Sequence, residues 1–284
     1  MTARHRLTAL AILLLGMCPA AAQTQPDVRP NRVRGEYVRP ANSAHQPIYE
    51  ALQRQRVLER LSKFLAPFRL PKDLLLKVEG CDGRVNAYYE DAVVTVCYEY
   101  LDFIDANLPA ESTSAGLKPE DAALGPTFDV FLHEAAHAVF DLLQIPMMGR
   151  EEDAADLFSA YIQLQLSSDE ARTLILGITA LAQKEATQAM TKAIQFKDFA
   201  DDHGHAAQRY FNIVCMAYGR DPVLFADAVD LGQLPAERAS TCGTEYKQFE
   251  HAFQTLIQPH VDRALFSMVR ARKWLRPAHG NTGI

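Results

Sequence analysis

The first hydrophobic feature of the chain is a short apolar run, Leu7 to Leu15. It follows Arg4 and Arg6 and leads to Ala20, Ala21 and Ala22. A positive start, a run too short to span a bilayer and small residues behind it are the pattern of an export signal. Residues 1–22 are therefore expected to be removed. Residues 23–46 mix prolines and arginines with little apolar periodicity and read as a disordered or extended arm. From Tyr49 to Phe68 the pattern becomes helical, with Leu52, Val57, Leu58, Leu61, Phe64 and Leu65 on one side and Pro67 and Pro71 at the end. Leu74–Gly80 and Val85–Tyr100 change to strand character, with β-branched residues at Val93, Val94, Thr95 and Val96 and a turn at Glu90-Asp91. Leu108–Leu124 is polar and reads as a loop.

The strongest helical signal follows. Phe128, Phe131, Leu132, Ala135, Val139, Leu142 and Leu143 form an apolar stripe, Pro126 suits the first turn, and Pro146 forces a stop near Gln144. Glu151–Leu166 is a second helix, with Ala155, Phe158, Tyr161, Ile162 and Leu164 at helical spacing. Glu170–Met190, Ala206–Tyr218 and Ala236–Leu256 continue the helical pattern. The expected fold class is α+β: a small antiparallel β-sheet followed by a mainly helical lobe. One domain would span residues 47–265, with a basic tail at 266–284 that holds Arg270, Arg272, Lys273 and Arg276.

Charge and cysteines narrow the setting. The chain has 29 basic and 35 acidic residues. Removal of residues 1–22 takes only Arg4 and Arg6 and leaves 27 basic against 35 acidic. An acidic balance argues against a nucleic-acid partner, which selects for basic surface. No later apolar run is long enough to cross a membrane. Cys81, Cys97, Cys215 and Cys242 remain after the signal, an even number that fits two disulfides in a periplasmic or secreted protein. Of the three connectivities, Cys81–Cys97 with Cys215–Cys242 is preferred, because each pair brackets one local unit.

The chemistry is concentrated in residues 131–156. His133 and His137 are four apart on the first strong helix, so both rings point to one spot, with Glu134 one step round. Two neutral imidazoles suit zinc and leave room for a carboxylate and a water. Glu152 on the next helix can supply that carboxylate; Glu151 and Asp141 are its rivals. Asp156, one turn after Glu152, can accept from the far nitrogen of a ligand histidine and fix its orientation.

His133-Glu134-x-x-His137 followed by Glu152-x-x-Ala155-Asp156 resembles the gluzincin zinc metallopeptidases, although the loop between His137 and Glu152 is shorter than in thermolysin. The wider pattern is similar to a bacterial family described only as putative metallopeptidases. It includes Asn86-Ala87-Tyr88-Tyr89, Cys97-Tyr98-Glu99, Asp202-His203, Gln208-Arg209 to Cys215, Tyr218-Gly219 and Leu234-Pro235 to Cys242, and it spans roughly residues 50–262. The resemblance implies one Zn2+ held by His133, His137 and Glu152, with Glu134 as general base. It implies that Asn86 and Ala87 lie on an edge strand that pairs with extended peptide. It further implies a catalytic role for His203, oriented by Asp201 or Asp202, as a donor to the oxyanion, and a substrate-binding role for Arg209. The expected function is hydrolysis of peptide bonds in a peptide or protein substrate. The alternatives are an exported zinc-binding scaffold without activity, or a zinc hydrolase acting on a non-peptide amide. The intact Glu134 speaks against the scaffold, since metal binding alone needs no base.

Overall fold

The computed structural model describes residues 33–275. The expected export signal, the first part of the arm and the end of the basic tail lie outside the described residues. Four strands, β1 (Arg34–Tyr37), β2 (Leu75–Glu79), β3 (Ala87–Glu90) and β4 (Val93–Cys97), form one sheet in the order β1-β2-β4-β3. The helices are α1 (Gln46–Gln55), α2 (Val57–Leu65), α3 (Tyr98–Ala106), α4 (Pro119–Ala122), α5 (Leu124–Leu142) and α6 (Glu151–Gln163). They continue as α7 (Ser168–Ala189), α8 (Ala206–Arg220), α9 (Asp227–Asp230), α10 (Ala236–Ala252) and α11 (Arg263–Ala271). The architecture is α+β, with the sheet on the amino-terminal side of a mainly helical lobe.

The sheet is mixed, which corrects the antiparallel expectation. β1 and β4 both run parallel to β2, and only β3 is antiparallel to its neighbour β4. The reason lies in the connections. α1 and α2 stand between β1 and β2, and a crossover of that length permits parallel pairing. β3 and β4 are joined by a tight turn in which Asp91 and Ala92 both adopt positive φ, 48° and 63°, the backbone twist that suits a two-residue hairpin. β1 comes from the segment expected to be an arm: Arg34–Tyr37 is built into the sheet, and the segment ends in a 3-10 turn, Ser43–His45, that leads into α1. Gly35 makes this possible, because a Cβ there would meet the Leu58 Cβ of α2 at 2.5 Å. The central strands carry the buried apolar residues Leu76, Val78, Val94 and Val96.

Two further boundaries differ from expectation. The helix foreseen from Tyr49 to Phe68 is broken at Arg56, which adopts the left-handed conformation (φ 54°, ψ 47°). The basic segment is not a solvated tail as far as it is described. α11 buries Val269, Trp274 beyond it is 3% exposed, and the backbone N–H groups of Trp274 and Leu275 donate to the carboxylate of Glu170 on α7.

α5 is the axis of the molecule. Phe131, Leu132, Ala135, Ala136, Ala138 and Val139 are essentially fully buried on it. Each large apolar side chain so buried contributes about 1.5–3 kcal/mol of burial free energy. The amino-terminal end of α5 is locked by close approach to α7: a Cβ on Gly125 would lie 2.1 Å from the Leu174 carbonyl oxygen. The carboxyl end stops where Gln144 turns into positive φ (53°), two residues before Pro146. Two disulfides, Cys81–Cys97 and Cys215–Cys242, join the pairs that the sequence favoured. The first ties the end of β4 to the turn after β2, and the second ties α8 to α10. Among the described residues no helix is long and apolar enough to cross a membrane.

Candidate metal centre

The buried back of α5 determines what its other side presents. His133 and Glu134 are each 7% exposed, and His137 lies one turn beyond His133. α6 runs beside α5 and supplies Glu152 and Asp156; the small Ala155, fully buried between them, permits the close approach. His133 Nε2 lies 3.3 Å from His137 Nε2 and 3.0 Å from Glu152 Oε2, and His137 Nε2 lies 3.5 Å from the same oxygen. His203, in the segment before α8, brings its Nε2 to 3.0 Å from Glu152 Oε2. A tetrahedral cation with bonds of about 2.0–2.1 Å requires ligand atoms about 3.3 Å apart. The atoms present fit such an ion, and ligand atoms of His133, Glu152 and His203 all lie within 4.8 Å of one another.

The outer contacts orient these side chains. His133 Nδ1 is 2.9 Å from Asp156 Oδ1. His137 Nδ1 is 2.8 Å from Glu151 Oε1. Each helix histidine thus faces a carboxylate on its far side, the arrangement that fixes a ligand ring. Glu151 lies behind His137 while Glu152 points to the convergence. Asp141 is turned elsewhere and accepts from the Tyr89 hydroxyl at 2.7 Å. His203 Nδ1 lies 3.4 Å from Asp201 Oδ1 and 3.3 Å from Asp202 Oδ1, and its backbone N–H donates to both oxygens.

Arg209, expected to bind substrate, has its Nε and Nη2 donating to Asp156 Oδ2 and Oδ1, both at 2.7 Å. Asp156 is 5% exposed, and a buried carboxylate needs such a partner. α8 therefore braces His133 through Arg209 and Asp156. Ala87 opens β3, at the edge of the sheet, and the Asn86 carbonyl accepts from the Cys97 N–H at 3.1 Å. The contact of Tyr89 with Asp141 places this edge strand along α5.

The electrostatics favour a cation. Burial works against charge on His133, but the adjoining Asp156 and Glu152 outweigh it and push the ring up to about 10. His137 is raised by Glu152 and Glu151 against the opposing effect of burial, and His203 by Glu152. Contacts with the three rings hold Glu152 far below the usual carboxylate range. Asp156 is also held well below it: burial opposes ionisation, and Arg209 and His133 override it. Glu134 behaves in the opposite way, because burial raises it and the rings only partly compensate. Among the described residues its carboxylate meets no hydrogen-bond donor.

Several residues of the centre's surroundings had no place in the sequence reading. Asp129 lies one turn before His133 on α5, and its Oδ1 accepts from Ser159 Oγ at 2.6 Å and Gln163 Nε2 at 3.1 Å, both on α6. Tyr100 on α3 and Glu185 on α7 lie near it. Asp129 had a legible signal, a carboxylate at the same four-residue spacing as the two histidines. Tyr100 and Glu185 had none, since only the packing of α3 and α7 brings them here.

A family model described as "Putative metallopeptidase" matches residues 37–257, from the end of β1 to the turn after α10. Such a family implies a metal ion, and the cluster above is able to bind one. No curated protein and no solved structure matches the chain. With most of its length matched, the chain belongs to this family of putative metallopeptidases.

Proposed function

We propose that the chain is an exported zinc-dependent metallopeptidase that hydrolyses peptide bonds of a peptide or protein substrate. The observation that carries the reading is the convergence of His133 Nε2, His137 Nε2 and Glu152 Oε2 within 3.0–3.5 Å of one another, beside a base with no competing partner. His133, His137 and Glu152 would hold the ion. A zinc ion there would lower the pKa of water toward neutrality and polarise the carbonyl that is attacked. Glu134 takes the proton of the attacking water and passes it to the leaving amine. Burial raises its affinity for that proton, which suits the role. Asp156 and Glu151 hold the two rings in place, and Arg209 keeps Asp156 charged and oriented. His203 stands on the more exposed side of the cluster, with Asp201 and Asp202 behind it, and donates to the oxyanion as charge develops. Asn86, Ala87 and the free side of β3 offer backbone groups to an extended substrate. The two disulfides support export, since such bonds persist in oxidising compartments.

The test is hydrolysis of a diverse peptide library by the purified mature chain, with metal analysis of the same sample. Chelation should abolish cleavage and stoichiometric zinc should restore it. Cleavage that persists in metal-free protein would overturn the reading.

A further inference from the structure

A cavity of about 310 Å³ adjoins the candidate metal centre. This is the lower end of the range for small-ligand pockets, about 300–1,000 Å³. It begins at Asp129, one helical turn from His133, so about 5–6 Å separates their Cβ atoms. Tyr100 and Glu185 line it with Asp129, and Ile178, Leu181 and Ile213 give it apolar walls. Gly204, next to His203, forms part of its rim, and a Cβ there would crowd Asp153 at 3.2 Å. Tyr100 is close enough to Glu134 to feel its charge, as well as those of Glu185 and Asp129.

Several polar atoms of this cavity lack partners. Among the described residues, Asp129 Oδ2, both oxygens of Glu185 and the Tyr100 hydroxyl meet no hydrogen-bond partner. The cation on the wall, Arg209, is paired with Asp156 through Nε and Nη2. Two carboxylates therefore face the cavity, and Arg209, bound to Asp156, offsets their charge only in part. Burial raises Asp129 to about 6 and raises Glu185 as well, because it disfavours their charged forms and Arg209 compensates only in part.

Building on the peptidase reading above, we propose that this cavity is the specificity pocket for a basic side chain, lysine or arginine, of a residue flanking the cleaved bond. The aliphatic stem lies against Ile178, Leu181 and Ile213. The cationic head reaches Asp129 and Glu185 and lies by the ring of Tyr100. This pairing satisfies the open acceptors at once and neutralises the local charge. Acidic side chains are rejected by the same carboxylates.

Two measurements on the zinc-loaded full mature chain test the pocket. The first compares peptides that differ only at the positions flanking the scissile bond, with lysine, arginine, norleucine or glutamate there. The kcat/KM for lysine or arginine should exceed that for norleucine by about tenfold or more at one position, and glutamate should be poorest. Glu185→Gln should reduce the lysine-to-norleucine ratio about tenfold, and Asp129→Asn should also reduce it. Preference for norleucine at every position, or an unchanged ratio in both variants, overturns the proposal. The second measurement is independent of hydrolysis: calorimetric binding of agmatine, expected with a Kd of about 1 mM or lower and weakened in Glu185→Gln. No binding at that level overturns the pocket. Agmatine binding without cleavage of any peptide would overturn the peptidase reading and leave the pocket standing.

Discussion

His203 and Asp129 are the residues on which the site is most open to test. His203 touches Glu152 from the exposed side of the cluster, while His133 and His137 reach it from the buried helix. A donor to the oxyanion strengthens in the transition state, so His203→Ala should lower kcat about 10²–10³-fold with zinc retained. Zinc analysis and turnover on the same preparation check this; loss of the metal would make His203 a ligand instead. Asp129 presents the opposite situation, a carboxylate made costly by its surroundings. Burial raises it from 3.8 to about 6. An acid raised in the folded state destabilises it once ionised. That cost is absent below about pH 4, grows as pH rises toward 6 and is constant above. Asp129→Asn keeps an acceptor for Ser159 and Gln163 and removes the charge. In chelated protein it should stabilise the fold at pH 7 by about 1–3 kcal/mol and leave it nearly unchanged at pH 4. Thermal melts at the two pH values measure the difference, and equal shifts at both would refute the assignment.

The elements most clearly written in the sequence are those whose apolar period is long. α5 and α6 begin and end close to their expected limits, because Pro126, Pro146 and the run Glu151–Asp153 mark them locally. His133, Glu134 and His137 were legible for the same reason, since four-residue spacing on a secure helix fixes a shared face. β1 was not legible. Arg34–Tyr37 is polar and partly exposed, and only its long-range pairing with β2 makes it a strand. The antiparallel expectation failed there, because local pattern does not say which strand a crossover will return to. The pairing of Arg209 with Asp156 was not legible for a related reason: the two are 53 residues apart, and only the packing of α8 on α6 brings the guanidinium to the buried carboxylate. α8, which carries Arg209, is tied to α10 by Cys215–Cys242 across 27 residues. Closing a loop of this size stabilises by about 2–4 kcal/mol. Cys215→Ser with Cys242→Ser should therefore lower Tm by several degrees, with Cys81–Cys97 still intact by mass spectrometry. An unchanged Tm would show that α8 is held by packing alone.

At the scale of the whole molecule, the sheet and the helical lobe act as two supports for one helix. β4 and β3 back α5 on one side, α6 and α7 on the other, and α8 completes the centre from above through Arg209 and the His203 segment. Residues from three separate parts of the chain, near 133, 152 and 203, meet only because α5 is fixed by its buried face. The cavity beside them is formed by the same packing and by α3. The central claim is that Glu134 works as a base next to an ion held by His133, His137 and Glu152. The most direct measurement is zinc content and peptide turnover of Glu134→Gln against the unaltered mature chain. Glutamine keeps the shape and cannot take the proton, so one zinc per chain should remain while turnover falls by about 10²–10⁴-fold. Turnover equal to that of the unaltered chain, with zinc bound, would contradict the account.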